Sequence, residues 1–190
     1  MKQAKTLRPD EIKRVLVYVA TRRHAARDRA IILTSFQSGM RAHEMASLRI
    51  ADVVDEENEV RSEIILKPEQ TKGRIGRRVF VNVKLKKELS TYLRLVCDGA
   101  PSSAPLFQTQ KRHAFNGNTM CQLFLNIYKA AGIKGASSHS GRRTFITNLA
   151  GKSISVRVLA ALAGHSSITT TQRYIDVNDD QLRNAVELVS

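Results

Sequence analysis

Gly164-His165-Ser166-Ser167-Ile168-Thr169-Thr170-Thr171-Gln172-Arg173-Tyr174 is the run on which the reading of this chain turns. A tyrosine closes it nine positions after a histidine, and it follows a second cluster, His139-Ser140-Gly141-Arg142-Arg143. Upstream stand Arg41, in Ser38-Gly39-Met40-Arg41, and Lys72, in Gln70-Thr71-Lys72-Gly73-Arg74-Ile75-Gly76. Together these give one phenol and five groups able to carry positive charge. Taken singly, each has an ordinary role. A tyrosine in a terminal helix packs, a histidine after a glycine caps a helix or faces solvent, and one arginine among many is solvated or paired. Lys72 shares its hairpin with Lys67, Arg74, Arg77 and Arg78, any of which could meet a phosphate. Their joint occurrence is what points to chemistry.

A phosphodiester carries its charge on two non-bridging oxygens. That charge grows as a nucleophile adds, so donors are needed where the transition state will place those oxygens. Arg41 and Arg142 fit, because a planar guanidinium grips two oxygens at once and stays charged at any working pH. His139 and His165 can donate to the same oxygens or take a phenolic proton, since imidazole titrates near neutrality. Tyr174 is the candidate nucleophile. A free phenol, with a pKa of about 10, attacks poorly at neutral pH unless cations favour the phenolate or a base removes its proton. Lys72, a flexible ammonium on a turn, suits protonation of the departing sugar hydroxyl. A phosphotyrosine would retain the energy of the ester, so rejoining needs no ATP, and the scheme calls for neither metal nor cofactor.

In the identity, order and spacing of these residues the chain resembles the catalytic domain of the tyrosine recombinases, the phage integrase family. Ser38-Gly39-Met40-Arg41-Ala42-His43-Glu44-Met45-Ala46-Ser47-Leu48 resembles the segment carrying that family's first catalytic arginine, matched by Arg41. Lys72 sits in the hairpin-lysine position, His139 and Arg142 match the His-x-x-Arg element, His165 the Gly-His element, and Tyr174 the nucleophile. Similarity runs from about residue 7 to residue 174. Two positions depart: Gly141 stands where many members have leucine, and Arg143 where many have histidine. The resemblance implies a site-specific recombinase that cleaves double-stranded DNA through a 3′-phosphotyrosine, exchanges strands through a Holliday junction and religates. It also implies a homotetramer on DNA, monomeric when free. A non-catalytic DNA-binding regulator is the alternative, disfavoured because binding alone needs neither nucleophile nor acid. Type IB topoisomerases use similar chemistry, but the short spacing from Gly-His to Tyr and the small size favour a recombinase.

Composition agrees with a polyanionic partner. Thirty-one Lys and Arg against 17 Asp and Glu give a net charge of +14, which favours DNA through counterion release. Cys97 and Cys121 form no metal or disulfide framework. No apolar signal core or membrane-length run is visible, so a cytoplasmic protein without a membrane partner is expected. At 190 residues the chain reads as a single catalytic domain, 1–190. About forty residues precede Arg41, too few for the separate core-binding domain with which the family's usual chain begins. The expectation is a one-sided clamp whose DNA binding is weak and salt-dependent.

Periodicity predicts an α+β fold, mostly α-helical with a small antiparallel β-sheet. Helices are expected over residues 9–20, 25–37, 42–48, 85–96, 119–131, 140–150, 155–163 and 169–174. Strands over 59–66 and 77–83 flank the glycine-containing turn that holds Lys72, whose tip is expected to be mobile. Prolines and serines over 99–105 read as a surface loop. The tail, 175–190, includes an amphipathic helix over 179–189 that packs on its own domain or docks in trans on a neighbouring protomer.

Overall fold

The computed structural model describes residues 3–71, 73–152, 154–174 and 186–187. Lys72 and, apart from Val186 and Glu187, the expected tail helix lie outside the described residues. Helices α1 (Pro9–Ala20) and α2 (Ala25–Ser38) begin and end where their local chemistry dictates. Pro9 opens α1 with Asp10 and Glu11 in its first turn, matching the helix's missing N–H demand and its positive end. Gly39 stops α2 with φ of 64°, the left-handed region that glycine reaches without strain. Ile31 and Ile32 are fully buried, and α2 is the central helix, with α1, α5 (Val83–Val96) and α7 (Ser140–Ala150) packed around it.

Two short helices follow, α3 (Ala42–Ser47) and α4 (Ile50–Val53). The second is absent from the sequence reading, because four residues carry no period. It is held from outside: Ile50 N–H donates to Ala104 O (3.0 Å) and Ala51 N–H to Ser102 O (2.8 Å), so the 99–105 loop is stitched onto it. β1 (Glu63–Leu66) and β2 (Arg77–Phe80) pair antiparallel, Ile64 opposite Val79 and Leu66 opposite Arg77. Both strands are shorter than the apolar pattern suggests. Val60 bridges back to Val54, and Asn82 leaves the sheet to cap α5, its side chain accepting from Leu85 N–H at 2.8 Å.

Between the strands, Pro68–Gln70 form a 3-10 turn. The buried Thr71 hydroxyl, 2.9 Å from Ile75 O and 3.1 Å from Pro68 O, closes the base of the loop. Helix α6 (Gly117–Ala130) buries the stripe Met120, Leu123, Phe124, Ile127 and Tyr128. Helices α7, α8 (Val156–Ala163) and α9 (Ile168–Gln172) follow, α8 packed on α7 and α9 on α8. Helix α7 lies close on α2 because residue 141 is glycine: a Cβ there would overlap the buried Ser35 hydroxyl. Helix α9 ends at Gln172 rather than 174, and Tyr174 sits in the turn beyond it, its N–H donating to Thr171 O at 2.9 Å.

Candidate active site

Arg41 is the extended residue that opens α3, and Glu44, three residues on, folds back to it. Glu44 Oε2 accepts from Arg41 N–H at 2.8 Å, while Oε1 accepts from the guanidinium at 2.9 Å. A carboxylate with no exposed surface needs full compensation. Arg77, from the start of β2, supplies the rest: Nη2 donates to Glu44 Oε2 at 2.7 Å and Nε to Oε1 at 3.3 Å. Burial works against the charge on Glu44, but hydrogen bonding and attraction from Arg77, then Arg41, prevail and hold its pKa below the ordinary carboxylate value.

The end of α8 organises the cations. Gly164, with φ of 61°, makes the left-handed turn. His165 N–H then donates back to Ala160 O and Gly164 N–H to Ala161 O, each at 3.0 Å, a Schellman closure that satisfies two of the helix's four orphan carbonyls. Arginines take the next three carbonyl oxygens in succession. Arg77 Nη1 donates to Leu162 O (3.2 Å), Arg142 Nη2 to Ala163 O, and Arg41 Nη2 to Gly164 O (3.5 Å). The negative end of the helix dipole suits this crowd of positive charge. Arg142 also reaches Gly39 O at the end of α2 (2.8 Å), so its guanidinium bridges two helix ends while 5% exposed. Burial first, then Arg41 and Arg77, lowers its pKa to about 9, which leaves it charged at neutral pH. Each guanidinium has five N–H donors, so Arg41 and Arg142 both retain donors beyond those engaged with the protein.

Both arginines line a pocket of about 360 Å³, together with His139, His165 and Tyr174 among others. His139 is the exposed N-cap of α7 and Arg142 lies in that helix's first turn, so the positive end of an eleven-residue helix adds to the field. His165 Nδ1 lies 2.8 Å from the hydroxyl of Thr171, itself fully buried. Burial, then the positive charges of Arg142, Arg41 and Arg77, presses the imidazole pKa down to about 4. The ring is therefore neutral near pH 7. It stacks on half-buried Tyr174, centroids 5.9 Å apart at 24°. A second pocket, of about 590 Å³, shares Arg41, His165 and Thr170 with the first and extends along the hairpin loop, reaching Thr71 and Gly73 on either side of Lys72 in the chain.

Five of the six residues singled out in the sequence thus meet at one concavity, and Lys72 lies outside the described residues. Glu44 and Arg77 carry no assignment in the sequence, where Arg77 is one of five basic residues in a hairpin. The signal available was an acid three residues after Arg41, the spacing that closes a helix start. Thr171, which orients His165, has only its place one helical turn before Tyr174 to mark it. Among the described residues no helix is long and apolar enough to cross a membrane.

A model of the Phage integrase family matches residues 5–181. The chain is 28% identical over 183 residues to the tyrosine recombinase XerA of Pyrococcus furiosus, an alignment covering 96% of this chain and 61% of that one. It spans about three fifths of the length of such curated relatives. The crystal structure of XerA recombinase matches with a TM-score of 0.77 at 28% identity, over 99% of this chain and 66% of that chain. The catalytic domain of bacteriophage HP1 integrase, 22% identical, shares the fold over 98% of this chain and 96% of its own, with a TM-score of 0.69.

Proposed function

From the chain's membership of the phage integrase family, we propose that it is the catalytic domain of a site-specific recombinase that breaks and rejoins double-stranded DNA through Tyr174 in the cytoplasm. One observation carries the reading: two arginines held rigidly on backbone carbonyls line the same pocket as a tyrosine, a neutral histidine and an exposed histidine. Donors fixed in advance need no reorganisation when charge develops, which is where such sites gain most.

In this mechanism Arg41 and Arg142 hold the two non-bridging oxygens, with His139 donating at the pocket rim. Neutral His165 accepts the phenolic proton as Tyr174 Oη bonds to phosphorus. The bond from phosphorus to the 5′ oxygen breaks, and Lys72 protonates that oxygen. A 3′-phosphotyrosine and a free 5′ hydroxyl result, and the reverse step with a different 5′ hydroxyl joins exchanged strands. Four protomers on two duplexes would carry this through a Holliday junction, with residues 175–190 docking between neighbours.

Denaturing a mixture of the protein and nicked cognate DNA should reveal a 3′-linked covalent adduct that Tyr174→Phe abolishes and that chelator leaves unchanged. A wild-type protein that gives no adduct on any candidate site would leave a DNA-binding regulator as the reading. Lys72→Ala should cleave slowly, yet regain speed on DNA with sulfur in place of the bridging 5′ oxygen, since a thiolate departs without a proton. Continued slowness on that substrate would remove Lys72 from the acid role.

A further inference from the structure

We propose that Arg143 is a positioning residue for the nucleophile, linking the N-terminal segment of the chain to Tyr174; the inference rests on Tyr174 being the nucleophile. Arg143 follows Arg142 on α7, turned about 100° around the helix. It is half-buried where Arg142 is buried. Its guanidinium carbon lies 5.2 Å from the centroid of the Tyr174 ring, within the range of a cation–π attraction. Its Nε donates to Thr6 Oγ1 at 3.1 Å. The segment around Thr6 is itself fastened: Leu7 is 2% exposed and its N–H donates to Thr144 Oγ1 at 2.9 Å, while Lys5 Nζ pairs with Glu11 at 2.6 Å. Gln3 and Ala4 continue along the wall of the pocket that holds Tyr174.

Tyr174 needs such a restraint. It lies past the end of a five-residue helix, held by one backbone hydrogen bond to Thr171, while in-line attack demands that its oxygen be fixed to a fraction of an ångström. Stacking with His165 restricts the ring on one contact, and the Arg143 guanidinium supplies another. A histidine at this position would be shorter and would lose its charge near neutrality. Arg143 forms and breaks no bond in the reaction; it acts through the ring it holds.

Single-turnover adduct formation at saturating nicked DNA tests this. Arg143→Ala should slow cleavage about 3- to 30-fold, the size of a partly desolvated cation–π contact. The melting temperature should stay unchanged, and DNA affinity should fall no more than the loss of one phosphate contact allows. Arg143→Lys, which keeps charge but not the bond to Thr6, should recover part of the rate. Thr6→Val should slow cleavage less, and adding it to Arg143→Ala should cost nothing further. The 5′-sulfur substrate should leave the Arg143→Ala defect in place, because the fault lies with the attacking group. Wild-type cleavage rates in Arg143→Ala, rescue by that substrate, or a loss seen only in affinity or melting would each overturn the proposal. Failure of the wild-type protein to form any Tyr174 adduct would instead remove the reading on which it rests.

Discussion

His165 illustrates how a site sets the state of one residue. With a folded pKa of about 4 against an ordinary 6.5, the unfolded chain binds a proton between those values and the folded chain does not. Stability is therefore complete above about pH 6.5 and falls as pH drops toward 4. The melting temperature of His165→Gln should decline less over that window than that of the wild type. His24, whose pKa burial also lowers, leaves some slope in both, and equal slopes would contradict the assigned environment. Arg77→Met should cost about 2–3 kcal/mol in urea unfolding, since it strips a buried carboxylate of its main partner. Glu44→Gln in the same chain should return part of that loss. The residues proposed to carry chemistry stood out in the sequence because few residue types can do what is asked of them. Arg77 was not, because its distinction is a carboxylate 33 positions away, and nothing in a run of basic residues reveals which one turns inward.

At the level of the elements, α7 was readable to its ends, residues 140–150, because its polar start and apolar stripe coincide with the helix observed. How closely it packs was not. Gly141 brings it against α2, where Ser35 Oγ is buried without a hydrogen-bond partner among the described residues. Leucine at 141 would push α7 outward and carry Arg142 off Gly39 O. Gly141→Leu should therefore destabilise the fold by about 1–3 kcal/mol or more and slow adduct formation beyond what its stability loss predicts. A stable, fully active Gly141→Leu would show that the helix can shift without moving Arg142. The short α4 escaped the pattern because tertiary hydrogen bonds hold it, whereas α9 ends early in a local turn in which Tyr174 N–H donates to Thr171 O.

On the scale of the whole molecule, charge is the property that reaches furthest. A net charge of +14 should make DNA affinity fall steeply with salt, by about three orders of magnitude between 50 and 200 mM if roughly six phosphates are neutralised. Fluorescence anisotropy across a salt series measures the slope, and a flat response would speak against a backbone-tracking interface. Composition points to a polyanionic partner, whereas the convergence of residues 41, 77 and 142 on the end of α8 was not legible, because it joins residues 123, 85 and 21 positions apart in the chain. That convergence also fixes the arithmetic of the chain. One alanine inserted within residues 156–161 would rotate the following carbonyls by about 100° and advance them about 1.5 Å, out of phase with all three guanidinium groups. The exposed turn at residues 110–112, closed by a hydrogen bond from Thr109 N–H to His113 O, has no such partner. In a library of single-residue insertions selected for recombination, survivors should accumulate at that turn and be missing from the eight residues of α8.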